Sequence, residues 1–386
     1  MAMSATDKTA WPRRVRVGLH TSGMPELTEE ALEGIPMMRL HNQLIGGGFH
    51  WETTISTLHD GNIEPFNDPV TSTITLVETL PVERYLEAVI SSEMNPEAPA
   101  EFLKAHAIVA RSWLLGKIMR CHCQDPDRGR IVERGRIIDW TDTEAHEGFD
   151  VCSSDHCQRF EGIGNVDTRI KDIVKETEGM FLADETGMPA DARFSKCCGG
   201  HTELFSTCWQ DTDYRYLTAH EDPYCDLSAI PDEERSAFLR TILKDYDMQT
   251  ADYMHWRREV SKNDVRRHLK EKFGIDVGEI INIEAIGRGP SGRIHTLRID
   301  GSRGSVIIGK ELMVRRLFSD SHLHSSAFEI EETQKAFILN GRGWGHGVGM
   351  CQIGAANMAR LGHSCCEILT FYYPNISIRN TNDDKR

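Results

Sequence analysis

Three places along the chain combine residue types and spacing that could do chemistry. The first is Glu93, at the end of "VERYLEAVISSE", where Tyr85, Leu86, Val89 and Ile90 recur at helical spacing. A carboxylate at a helix C-terminus meets the negative end of the dipole, which disfavours its charged form and raises its pKa. Such a group suits general acid catalysis. Asn95-Pro96 then offers an N-cap and a first-turn proline to a second helix, whose positive end pulls the other way. A plain solvated turn glutamate is the competing reading.

The second place is "HEGFDVCSSDHC", with His146, Cys152 and Cys157. Three borderline or soft ligands in one short loop could hold zinc, with an open or distant fourth position. His156 is a spare ligand, and "CHC" at 121–123 is a weaker rival. Free thiols in a loop would give the same pattern.

The third is "GRGWGHGVGMCQ", residues 341–352, with a glycine at every second position from Gly341 to Gly349. Glycine weakens a strand interior, so something must need the missing side chains. If the stretch is extended, Arg342, Trp344, His346 and Val348 share one face and bare backbone the other. An aromatic, a cation and an imidazole beside bare backbone suit a sugar. His346 as a packed histidine is the bland alternative.

Two further stretches are weaker. "GRGPSG", 287–292, spells a dinucleotide fingerprint, but a strand follows it where a phosphate-binding helix should open, so it reads as a hairpin turn. "FSKCCGGHTE", 194–203, offers Ser195 without the glycine frame of a nucleophile elbow. It reads as a turn, either lining a site or plain.

The elements that must position these residues read as follows. "RVRVGLH" from Arg14 starts an alternating strand, and short strands with turns fill 48–80. The helix pair follows, the second helix carrying Phe102, Ala105, Val109 and Trp113 on one face. Residues 121–165 are rich in loops, and 166–185 turn helical. "PDEERSAFLRTILKDY" and "SKNDVRRHLKEKFG" are polar amphipathic helices, read as an insertion at about 229–273. "EIINIEAI" and "RIHTLRID" are strands, and "CQIGAANMARLGH" is a final helix. Strands and helices in separate runs predict an α+β fold.

Composition bounds the partners. Hydrophobic residues make up 39% and charged residues 27% of the 386, as in an ordinary globular protein. A net charge of −15 argues against a general nucleic-acid binder. No apolar run approaches a membrane span. The start, "MAMSATDKTAWPRR", holds no apolar run of the export type, so either the protein stays inside the cell, cytoplasmic as written, or a leader is absent from this sequence. Eleven cysteines in so long a chain are read as mostly reduced, some of them on metal.

Three stretches together resemble one family, that of stage II sporulation protein D and the LytB amidase enhancer. They are "VERYLEAVISSEMNPEAPAEFLKAHAIVARSWLL", the run from "HCQRFEG" to "FSKCCGGHTE", and "GRGWGHGVGMCQIGAANMARLGHSCCEILTFYYPNISI". "RVGL" at 16–19 and "GPSGRIHTLRIDG" at 289–301 also resemble family segments. The likeness covers most of residues 14–378 in order, which implies one such domain between a tail at 1–13 and a tail at 379–386. It implies a helix pair packed against antiparallel strands and hairpins. It also implies a lytic transglycosylase acting on peptidoglycan glycan strands, or an amidase enhancer, and hence a cell-envelope setting that conflicts with the export reading. Glu93 would be general acid and base. Arg111, Ser195, Arg342, Trp344, His346 and Gln352 would bind the glycan, and His146, Cys152 and Cys157 would hold a structural zinc. The chain departs from the family at Asn95, inside the usual Glu-Met-Pro. It departs again at Cys351, usually Ser, and at Lys196, Cys197 and Cys198, usually a serine-rich approach to Gly-Gly. Other readings are a non-catalytic wall-binding module, an intracellular zinc protein on the same fold and a two-carboxylate hydrolase.

Overall fold

The computed structural model describes residues 11–32, 34–46, 52–67, 74–120, 129–140, 146, 148–155, 157–212, 214–248 and 253–383. Most of the expected tail at 1–13, Cys121, Cys123 and the spare ligand His156 lie outside the described residues. The fold is α+β, and its buried apolar side chains form two main clusters.

Alternation builds the first sheet. In β1 (Arg14–Leu19), Val15, Val17 and Leu19 point inward and are buried. β1 pairs antiparallel with β6 (Ile74–Pro81), which pairs with β5 (Asn62–Asn67). Its other edge takes the short parallel β9 (Val151–Cys152). A separate meander joins β2 (Leu27–Leu32), β3 (Ile35–Ile45) and β4 (Thr53–His59).

β6 runs directly into α1 (Val82–Glu93), and α2 (Ala100–Arg120) follows after a tight turn. α2 is buried on nearly every side, which marks a central helix. Around it pack α1, α3 (Thr168–Glu176), α9 (Gln352–Arg360), α10 (Cys365–Tyr372) and β10 (Met180–Ala183). β10 pairs with β19 (Ser377–Asn380), so ladder pairing continues two residues past 378. The start of α2 differs from the sequence reading. Asn95 caps only a turn, its Oδ1 accepting from Glu97 N at 2.9 Å, and the helix opens at Ala100. Pro99 explains the delay, because the residue before a proline is pushed out of the helical region.

The second core lies under two sheets. One is β13 (Ile280–Arg288), β14 (Ile294–Gly301), β15 (Gly304–Gly309), β8 (Arg136–Asp139) and β7 (Arg130–Glu133), in that order. The other is β12 (Trp256–Ser261), β17 (Ala336–Gly341) and β16 (Phe328–Glu332). Packed with them are α7 (Lys262–Phe273), capped by Ser261, and α8 (Glu311–Leu317). "GRGPSG" is the turn of the β13–β14 hairpin, as its missing helix predicts. Residues 229–273 divide between the cores. Phe238, Leu239 and Ile242 of α5 (Asp232–Ile242) join the first, while Trp256, Val260, Val265 and Leu269 join the second. Short elements complete the chain: α4 (Phe205–Cys208), α6 (Asp245–Met248), β11 (Phe194–Ser195) and β18 (Met350–Cys351), the last two paired in parallel.

One ion pair ties the central helices together. Arg111 of α2 is 1% exposed and donates to both Glu83 carboxylate oxygens, at 3.0 and 2.6 Å, and to the Met180 carbonyl at 3.1 Å. Removing one partner of such a pair leaves a buried charge uncompensated. Glu83→Ala is therefore expected to cost about 3 kcal/mol, seen as a lower urea midpoint. Replacing Arg111 by Met in the same chain should recover much of that loss.

Candidate active site

Glu93 ends α1, half-buried, where Met94 leaves the helix with extended backbone. Its Oε1 accepts from Arg159 N at 3.3 Å. Burial pushes its carboxyl above the ordinary glutamate range. The charges of Arg159 and Lys196 pull it back, and Asp155 pushes it up again. Arg159 is held by Asp155 at 2.5 Å, and Lys196 by Asp247 at 2.6 Å, both pairs largely buried. A second carboxyl, Glu161, is raised mainly by burial and in part by Glu93 itself. Its Oε1 is buried with no hydrogen-bond partner among the described residues.

The other wall comes from the β11–β18 pair, which sets Ser195 opposite Cys351. Ser195 Oγ is buried and unpartnered among the described residues. Gln352, the first residue of α9, lies 3.4 Å from the His106 ring. Burial, aided by Lys196, holds His106 neutral, its pKa pushed down to about 3. Lys196 thus acts electrostatically on both Glu93 and His106.

The glycine stretch is not an extended strand. Gly343, Gly345, Gly347 and Gly349 all have left-handed backbone, with φ between 71° and 86°. The alternation therefore makes a winding loop rather than a two-faced ribbon. The missing side chains make room for protein. A Cβ at Gly347 would lie 2.5 Å from the Arg293 guanidinium carbon, and one at Gly349 would strike the Arg193 carbonyl. Arg293, fully buried, donates to the Gly345 carbonyl at 3.1 and 3.2 Å and to the Cys198 carbonyl at 3.1 Å. The bare backbone thus meets Arg293 and the 193–198 segment.

This placement separates the expected glycan-binding residues. Ser195 and Gln352 flank the Lys196–His106 wall. Trp344 is 8% exposed, stacked on His324 at 4.2 Å and edged by Tyr253. His346 accepts from Val348 N at 3.0 Å, hydrogen-bonds the Phe194 backbone and abuts Trp209. Burial holds it well below the usual imidazole range, hence neutral. Arg342 is exposed and donates to the Ser291 carbonyl at 3.0 Å. Arg111 pairs with Glu83, ten residues and about 15 Å along α1 from Glu93. Sequence reasoning missed Asp155, Arg159, Glu161, Lys196 and His106, whose only signal was adjacency to stretches already singled out.

His146, Cys152 and Cys157 converge, their ligand atoms within 4.8 Å of one another. His146 Nε2 lies 3.3 Å from Cys157 Sγ, which also accepts from Cys152 N at 3.4 Å. One histidine nitrogen and two sulfurs at this spacing suit zinc. The loop continues through Gln158, which bonds Tyr85 and the Ala110 carbonyl, to the Arg159 amide on Glu93.

The chain is similar to known proteins along most of its length. A family model described as "Stage II sporulation protein" matches residues 70–183, the segment carrying α1, α2, Glu93 and the His-Cys-Cys loop. A model described as a domain of unknown function matches 203–349. Stage II sporulation protein D of Bacillus amyloliquefaciens is 26% identical over 78% of this chain and 75% of its own length. Its Bacillus subtilis counterpart gives the same figures. The amidase enhancer of Bacillus subtilis is 24% identical over 76% of this chain and 40% of its own length. The chain thus carries a segment of the stage II sporulation protein family at 70–183 and resembles stage II sporulation protein D along most of its length. No described helix is long and apolar enough to cross a membrane.

A carboxyl whose pKa rises on folding contributes stability at low pH that is lost as pH climbs through the folded value. Glu93→Gln, neutral at every pH, should therefore melt above the wild type at pH 7. The gap should close below the free glutamate range of about 4.3. Thermal denaturation across that range checks it.

Proposed function

We propose that this protein is a lytic transglycosylase that cuts the MurNAc–GlcNAc bond of glycan strands, with Glu93 as its single proton shuttle. The observation that carries this reading is the half-buried Glu93 carboxyl, pushed toward its acid form and offered one backbone donor. As an acid, Glu93 gives its proton to the glycosidic oxygen while the bond to MurNAc C1 breaks. The carboxylate left behind takes the proton of the MurNAc C6 hydroxyl as O6 closes on C1. Glu93 ends protonated, the MurNAc end is a 1,6-anhydro ring, and no water is consumed. Arg159 and Lys196 beside Glu93 limit the cost of its transient charge. Ser195 Oγ, buried and unpartnered among the described residues, and the Gln352 amide are the groups best placed to hold sugar hydroxyls or acetamido groups.

Zinc on His146, Cys152 and Cys157 would supply a structural clamp rather than an activated water. Its service to the reaction is positional, since Arg159 follows Cys157 by two residues and its amide meets Glu93. The substrate places the working protein at the cell envelope. The amidase enhancer among its relatives makes a wall amidase its candidate partner.

Glu161 favours a second reading. A second raised carboxyl beside Glu93 is what a two-carboxylate hydrolase would need. Mass spectrometry of peptide-stripped glycan strands after incubation separates the two. Anhydro-MurNAc ends from the wild type, reduced by about 10²–10⁴ in Glu93→Gln and retained in Glu161→Gln, support the transglycosylase. Reducing MurNAc ends that depend on both carboxyls establish the hydrolase, and no new ends overturn both.

A further inference from the structure

A second cluster of ligand-type side chains includes Cys351 of β18 and is distinct from the His-Cys-Cys loop. The ligand atoms of Cys198, Asp222, Cys225 and Cys351 all lie within 4.8 Å of one another, and all four residues are buried. Cys225 Sγ is 3.5 Å from Cys351 Sγ, and Cys198 Sγ is 3.2 Å from an Asp222 oxygen. Tetrahedral zinc with Zn–S bonds of about 2.3 Å sets its sulfurs about 3.8 Å apart. The cluster has the dimensions of a mononuclear site. A fourth thiol, Cys197, adjoins it at 3.3 Å from Cys225 Sγ, and none of the four thiols is in a disulfide.

The surroundings are already arranged for a ligand set. Cys351 is the N-cap of α9, and its sulfur accepts from Cys198 N at 3.3 Å and Gly354 N at 3.4 Å. Donors aimed at a sulfur favour thiolate, the form that binds metal. Asp222 Oδ1 accepts from Tyr224 N and Cys225 N, at 3.0 and 3.1 Å, and Oδ2 from the Tyr372 hydroxyl at 2.9 Å. These bonds fix the carboxylate beside the sulfurs. Among the described residues, no lysine or arginine side chain pairs with any of the four. A buried carboxylate with three buried thiols needs a cation or must stay protonated.

We propose that Cys198, Asp222, Cys225 and Cys351 bind a divalent transition metal, zinc being the ion that three sulfurs and one oxygen favour, independently of the His146–Cys152–Cys157 loop. The ion would join the 197–200 turn, the 222–225 loop and the first turn of α9. The 197–200 turn follows Ser195 directly after Lys196, and α9 begins at Gln352, so the ion would hold one wall of the candidate active site without touching substrate. Sequence alone does not show it, because its ligands come from three distant segments.

Metal content of the full-length protein, purified without chelator under reducing conditions, tests this. The expected result is two zinc ions per chain, one in His146→Ala, and none once Cys225→Ser is added to His146→Ala. If the loop holds no zinc, the wild type and His146→Ala carry one ion each, and Cys225→Ser alone removes it. Cys351→Ser is the mildest variant and should also lose one equivalent while keeping the wild-type circular dichroism. Cobalt loaded into the wild type should give thiolate charge-transfer bands that weaken in Cys351→Ser. Unchanged metal content in Cys225→Ser and Cys351→Ser overturns the proposal. So does a metal-free wild type, including one two hydrogens light through a Cys197–Cys225 disulfide. None of these readings depends on glycan cleavage, so failure here leaves the Glu93 reading to its own test.

Discussion

The constraint on which the rest depends is the seating of a left-handed glycine loop around one buried arginine. Arg293 leaves the second core at the start of β14 and spends its donors on the Gly345 and Cys198 carbonyls. A side chain at Gly347 would displace that guanidinium. The loop in turn fills both cores, with Trp344 and Val348 in the first and Gly341 against Trp256 of the second. From there the chain passes into β18 and α9, which set Cys351 and Gln352. The two cores and one wall of the candidate active site thus share a joint. Its apolar and charged parts are interdependent, since an arginine so deeply placed must find acceptors, and the loop's bare carbonyls supply them.

The opposite wall depends on a second economy of length. Cys157, Gln158, Arg159 and Glu161 lie within five residues, yet they serve the His-Cys-Cys loop, the α1–α2 pair and the surroundings of the Glu93 carboxyl in turn. Whatever fixes Cys157 also fixes the amide that meets Glu93. Asp155, held to Arg159, sets how much positive charge Glu93 feels. The proton affinity of Glu93 is therefore a property of this short run as much as of the end of α1.

Much of the fold was legible in the sequence. The period of Tyr85, Leu86, Val89 and Ile90 gave α1, and the strand after "GRGPSG" ruled out a nucleotide turn. Cys152 and Cys157 with His146 declared their cluster because the three are close in sequence. The glycine run misled, because alternation of glycine looks the same whether the backbone is extended or left-handed at every second residue. Only the Arg293 and Arg193 contacts distinguish the two, and neither partner is near in sequence. The same limit hid Lys196, which follows β11 and acts on Glu93, and His106 of α2, which Lys196 also influences. Trp344 and His346 looked like a sugar platform because a face can be inferred from period, whereas His324 and Trp209, which cover them, cannot.

The central claim is that folding makes Glu93 a proton donor. Titration of the Glu93 side-chain carboxyl by carbon-13 NMR, assigned through Glu93→Gln, measures this directly. The account predicts a midpoint above the free glutamate value of about 4.3, and a further rise when Lys196 is replaced by Met. A midpoint at or below the free value would contradict it, because Arg159 and Lys196 would then outweigh burial and leave Glu93 a permanent anion.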